Sequence, residues 1–137
     1  MHLIFAALSL FANTVMAADS ASGLSTHVLD ISQGKPGAGC NVETFRLDDK
    51  EWTLVGRSKT DENGRIASAL VLDAEEVQLK NDTTYKLRFD TAEYYERDGI
   101  DCFYPHVEVM FRIADATRHF HVPITLAPYG YSTYKGQ

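Results

Sequence analysis

From residue 107 the chain reads Val-Glu-Val-Met-Phe-Arg-Ile. An extended backbone puts Val107, Val109, Phe111 and Ile113 on one side, and Glu108, Met110 and Arg112, with His106 before them, on the other. A period of two marks a strand with one face buried and one in water. Short runs of this kind, rich in β-branched and aromatic residues, recur between turn signals, and that recurrence restricts the fold to a sandwich or barrel. Leu24–Ile31 reads as the first strand, ended by Gln33-Gly34-Lys35-Pro36-Gly37. Asn41–Leu47 and Trp52–Lys59 read as a hairpin around Asp48-Asp49-Lys50. Asn63-Gly64 signals a tight turn because both residues tolerate positive φ, and it places Arg65 at the head of a strand running through Leu70. Thr84–Asp90, Val107–Ile113, His119–Leu126 and Tyr129–Tyr134 complete a set of about eight strands, and Thr91–Asp98, stopped by Gly99, is the one short helical candidate. The expected fold class is all-β, an antiparallel sandwich with one short helix.

The N-terminal segment differs in kind. Leu3 to Phe11 is apolar except for Ser9, and Val15-Met16-Ala17 followed by Ala18 supplies the small residues of a signal-peptidase site. The run is too short to span a bilayer, which takes roughly 20 apolar residues. Residues 1–17 therefore read as a cleaved signal peptide and residues 18–137 as one domain, periplasmic or secreted, with no membrane attachment after cleavage. The chain carries 13 Lys and Arg against 19 Asp and Glu, a formal net charge of −6. An acidic surface without a basic cluster repels phosphate backbones, so nucleic acid is excluded as a partner. Cys40 and Cys102 permit at most one intramolecular disulfide, and neither sits at a metal-binding spacing. Both read as ordinary small residues.

Three places carry candidate chemistry, and each has a plain alternative. His27 shares a strand face with Leu29 and Ile31, so it is either a hydrogen-bonded core histidine or a functional one. His119 and His121 flank Phe120 and point to one face; the spacing suits a metal pair, acid–base chemistry or plain surface. Arg65 is a surface charge after a turn, or a planar cationic fork for a carbonyl or oxyanion. His2 lies in the signal, and His106, at a strand start, reads as solvated or satisfied. The closing segment from Pro128 to Gln137 is aromatic and glycine-containing almost to its end, which fits an ordered terminus lining an interface or pocket rather than a frayed tail.

Five segments, taken in order, carry a resemblance: Leu24-Ser25-Thr26-His27-Val28-Leu29-Asp30; Gly34-Lys35-Pro36; Thr60-Asp61-Glu62-Asn63-Gly64-Arg65; His119-Phe120-His121-Val122-Pro123; and Tyr129-Gly130-Tyr131-Ser132-Thr133-Tyr134-Lys135-Gly136. In order and spacing they resemble the 5-hydroxyisourate hydrolases of the transthyretin-like family, periplasmic type, over essentially the whole mature chain. The resemblance implies two four-stranded antiparallel sheets with one short helix, and a homotetramer built as a dimer of dimers with active sites in the channel between dimers. It implies hydrolysis of 5-hydroxyisourate to 2-oxo-4-hydroxy-4-carboxy-5-ureidoimidazoline in urate degradation, without cofactor or metal. Catalytic positions fall on His27, Arg65 and His121, and substrate-binding positions on Tyr134, Lys135, Gly136 and Gln137.

The chain departs from the family at its end. The hydrolases usually close on Tyr-Arg-Gly-Ser, and this chain on Tyr134-Lys135-Gly136-Gln137. Lysine keeps the charge and loses the fork. Two rival functions stand beside hydrolysis: a carrier of a small planar ligand on the same scaffold, and a periplasmic zinc or copper binder using His119 and His121, with or without His27.

Overall fold

Alternation along one central strand organises the molecule. In the computed structural model, which describes residues 22–137, β1 (Gly23–Asp30) buries Leu24, Thr26, Val28 and Asp30 and leaves Gly23, Ser25, His27 and Leu29 half-buried on the opposite face. The expected signal peptide, residues 1–17, lies outside the described residues. One edge of β1 takes two short antiparallel partners, β2 (Lys35–Pro36) and β5 (Arg65–Ile66). The other edge takes β10 (His119–His121) and β11 (Ile124–Ala127), both parallel to β1, with β12 (Gly130–Thr133) antiparallel outside β11. Residue offsets between partners are the same on both sides of Pro123, so β10 and β11 are one strand interrupted where proline offers no N–H. That accounts for the break in the single strand expected over His119–Leu126.

The second sheet is antiparallel throughout, in the order β4 (Glu51–Lys59), β3 (Asn41–Asp48), β8 (Thr83–Phe89), β9 (Val107–Ile113). Leu24, Val28, Ile124 and Leu126 from the first sheet share one core with Val42, Leu87, Phe89 and Ile113 from the second. The transthyretin-like sandwich with one short helix, α1 (Thr91–Glu96), is therefore present. The parallel pairing within the first sheet departs from an all-antiparallel expectation, because alternation reports which face is buried and not which way a neighbour runs.

Two local readings change. The strand expected over Arg65–Leu70 pairs only at Arg65–Ile66; beyond it the Ala69 N–H donates to Leu24 O at 2.7 Å, and Ala69 O accepts from Thr44 Oγ1 at 2.6 Å. A small ribbon, β6 (Val71–Leu72) with β7 (Glu75–Glu76), follows instead. Its turn residues Asp73 and Ala74 both take positive φ, 51° and 66°, and alanine is not a residue that announces such a turn. Both cysteines are free, and burial pushes the Cys40 thiol up to about 12.

Asp30, at the end of β1, is 1% exposed and charged, which requires compensation. Its Oδ1 accepts from Ser32 N at 3.1 Å, Ser32 Oγ at 2.6 Å, Gln33 N at 3.1 Å and Tyr95 OH at 3.2 Å. Its Oδ2 accepts from Gln33 Nε2 at 2.7 Å and Tyr94 OH at 2.8 Å. The carboxylate thus ties α1 to β1. Burial works to raise its pKa, but the bonds from Ser32, Tyr94 and Gln33 outweigh burial and hold it below the ordinary 3.8. The stability this contributes is fully present above the unfolded-state pKa and is lost as pH falls through the lower folded value. Asp30→Ala strands these donors and should cost about 3 kcal/mol or more in urea unfolding at neutral pH. The loss relative to wild type should shrink as the titration is repeated below about pH 4.

Candidate active site

Arg65 is delivered by a turn that closes on itself. Asp61 Oδ1 accepts the N–H of Asn63 and of Arg65, each at 2.9 Å, while Gly64 N–H donates to Asp61 O and Asp61 N–H to Arg65 O, also at 2.9 Å. Of Asn63 and Gly64, only Gly64 takes positive φ, +75°, and a Cβ there would stand 2.4 Å from Val28 O. The turn therefore needs glycine for backbone conformation and for close approach to β1. Arg65, exposed, is the Cα partner of His27 across the β1–β5 ladder. Directly paired residues present their side chains to the same face.

His27 is half-buried on the outward face, which decides against the core-histidine alternative. Its Nε2 lies 3.0 Å from Asn63 O. A carbonyl oxygen only accepts, so Nε2 carries the proton and the neutral ring keeps its lone pair on Nδ1. The same turn that positions Arg65 thereby fixes the tautomer of His27.

His121 reaches that face from the other edge of β1, where its Cα partner is Ser25. Ser25 Oγ lies 2.7 Å from His121 Nδ1 and 2.8 Å from His119 Nε2. Burial first, then the charges of Arg65, His27 and His119, lower the pKa of His121 from 6.5. It is consequently neutral at neutral pH. Ser25 is the residue that sequence reasoning passed over, although it stands two positions before His27 in a strand and must share its face.

The tail meets His121 from outside. Gly136 N–H donates to His121 O at 2.8 Å, and a Cβ on Gly136 would lie 2.6 Å from His121 Cδ2, so only glycine lets the chain rest on the ring. Tyr134 and Lys135, together with His121, line a cavity of about 380 Å³ beside β9. That volume suits a small molecule. His27 and Arg65 do not line this cavity; they stand on the adjoining open face of the sheet. Gln137 is exposed.

Among the described residues no group of three or more His, Cys, Asp or Glu side chains is placed to hold an ion. The Ser25 hydroxyl engages one ring nitrogen in each of two histidines, His119 Nε2 and His121 Nδ1. Two imidazoles beside a fixed positive charge are equipment for acid–base chemistry, able to activate water against a polarised carbonyl.

Residues 24–136 match the family model described as the HIUase/Transthyretin family. A probable 5-hydroxyisourate hydrolase of Caenorhabditis elegans is 41% identical over 136 residues, covering 99% of this chain and 96% of that protein. A 5-hydroxyisourate hydrolase of Salmonella typhi is 38% identical over 98% of this chain and 96% of its own length. The solved structure of the Klebsiella pneumoniae 5-hydroxyisourate hydrolase superposes with a TM-score of 0.70 at 34% identity, covering 85% of this chain and 100% of that one. With sandwich, turn, histidines and glycine-bearing tail in register from one end of the match to the other, the chain belongs to the HIUase/transthyretin family.

Proposed function

We propose that this protein is a hydrolase of urate degradation that opens the ring of 5-hydroxyisourate, with His121, Arg65 and His27 as its working groups. The observation that carries the reading is the convergence of these three side chains on one sheet face, beside a cavity bounded by the C-terminal tail. Relatives named for this activity match along nearly the full chain. Neutral His121 takes a proton from water as the oxygen attacks the ring carbonyl. Arg65 holds the carbonyl oxygen as it gains charge. The ring C–N bond then breaks, and the proton passes from histidine to the leaving nitrogen. His27, with Nε2–H committed to Asn63, offers Nδ1 to the water or substrate. Tyr134, Lys135, Gly136 and Gln137 form the substrate-binding wall, and Lys135 supplies charge there as a point rather than as a fork.

The site is a homotetramer's in this reading, completed when a second copy covers the open face. Support lies in its exposure and in the large apolar side chains nearby: Met110 is 64% exposed and Tyr134 57%. Export through the apolar segment of residues 1–17 places the enzyme in the periplasm or outside the cell.

The deciding assay follows the ultraviolet decay of 5-hydroxyisourate, freshly made by urate oxidase, with and without the purified protein. Decay accelerated in proportion to protein, and surviving a chelator, supports hydrolysis; spontaneous decay beside a folded protein moves the reading to a ligand carrier. His121→Ala should lower kcat by about 10² to 10⁴, and Arg65→Ala by about 10² to 10³. Because the Arg65 charge helps depress His121, Arg65→Ala should also move the acid limb of the rate profile to higher pH, read from residual activity across pH 5 to 8 on the order of the histidine range. Gly136→Ala should raise KM several-fold by lifting the tail from the ring, measured against wild type at one pH. A stable monomer with full activity in sedimentation would remove the interfacial site.

A further inference from the structure

One hydroxyl stands between two imidazoles. Ser25 Oγ lies 2.8 Å from His119 Nε2 and 2.7 Å from His121 Nδ1. The backbone holds all three in place: Gly23 pairs with His119 and Ser25 with His121 in the parallel ladder, and Val122 N–H donates to Ser25 O at 3.0 Å.

A serine hydroxyl owns one proton. It can donate to only one of the two ring nitrogens, so at most one of them can be a bare lone pair satisfied by Ser25. Both contacts are hydrogen bonds with every proton used when Ser25 donates to one ring and accepts from the other. Two such arrangements exist. In the first, His121 Nδ1–H donates to Ser25, and Ser25 donates to His119 Nε2. In the second, the directions reverse, and neutral His121 carries its proton on Nε2.

The two differ in what His121 has left to offer. Its Nδ1 is occupied by Ser25 in either case, so a lone pair that takes a proton from water must be on Nε2. Only the first arrangement provides it. We propose that Ser25, oriented by His119, is a positioning residue that holds His121 as the Nδ1–H tautomer and keeps Nε2 bare as the base. The inference rests on the reading of His121 as proton acceptor given above. His119 is exposed and does not touch the reacting atoms; it gives the Ser25 proton an acceptor that leads it away from His121. Ser25 thus does for His121 what the Asn63 carbonyl does for His27: it chooses which ring nitrogen is free.

The test joins kinetics to spectroscopy. Ser25→Ala should lower kcat about 10- to 100-fold with KM changed by less than about threefold, since a tautomer-setting bond acts on the chemical step and not on substrate binding. Ser25→Thr, which keeps a hydroxyl on the same Cβ, should return kcat to within about threefold of wild type. Long-range ¹H–¹⁵N correlation on the neutral rings should find His121 as Nδ1–H in the wild type and as a mixture of tautomers in Ser25→Ala. His119→Phe, at an exposed position, should shift the same signals and guards against a Ser25→Ala protein that does not fold. Wild-type His121 found as Nε2–H, or unchanged kcat and tautomer in Ser25→Ala or His119→Phe, overturns the inference. If His121→Ala turns over at the wild-type rate, the hydrolytic role of His121 fails and takes the inference with it; an inactive His121→Ala beside a fully active Ser25→Ala sinks the inference alone.

Discussion

Everything at the site depends on the register of β1 between its two edges. One edge holds Arg65 opposite His27, and the other holds His121 opposite Ser25, so a single half-buried face gathers groups from three distant parts of the chain. A slip of one residue on either side would turn these side chains into the core and bring Leu24, Thr26 and Val28 out. The burial of those alternate residues is therefore what keeps the chemistry on the outside. Core packing and catalytic geometry are two consequences of one alternation.

Each polar group then receives its own constraint from a short-range contact. The Asp61–Arg65 turn closes through its carboxylate and through Gly64, and the Asn63 carbonyl within it meets His27. The Ser25 hydroxyl meets His121, and Gly136 lies against that ring because it has no side chain to hold it off. Asp30, buried at the far end of β1, fastens the helix with hydrogen bonds from two tyrosines. The strand carrying the site is thus anchored at one end by a compensated charge and flanked at the other by its reactive face. Burial first, and then the nearby charges of Arg65 and His27, lower the pKa of His121, so its placement sets both geometry and protonation state.

The altered tail meets the cavity and the His121 ring, not the Arg65–His27 pair. Lys135 lines the cavity and Gly136 touches His121, while Arg65 and His27 stand elsewhere on the face. An ammonium at position 135 gives the cavity wall a point charge in place of a planar fork. A carrier would have no use for a neutral histidine set against a fixed guanidinium, which is why the site geometry weighs toward hydrolysis.

Much of this was open to reading in the amino-acid order. Alternation at Val107–Ile113 and Leu24–Ile31 marked strands, Asn63-Gly64 marked a turn, and five spaced motifs marked the family. These signals are local, and a strand or a turn is decided by neighbours along the chain. Other features needed the folded molecule. The parallel run of β10 and β11 against β1, the early end of the strand after Arg65, and the ribbon turning at Asp73 and Ala74 depend on what lies across space. The tautomer of His27, the depressed pKa of His121 and the Ser25 bridge do so too, because a hydrogen bond between residues 36, 94 or 96 positions apart has no signature in either segment alone. Sequence by itself determined which groups are available; tertiary structure decided which face His27 takes and what each ring meets, the Asn63 carbonyl for His27 and the Ser25 hydroxyl for His121, because those partners come from distant segments.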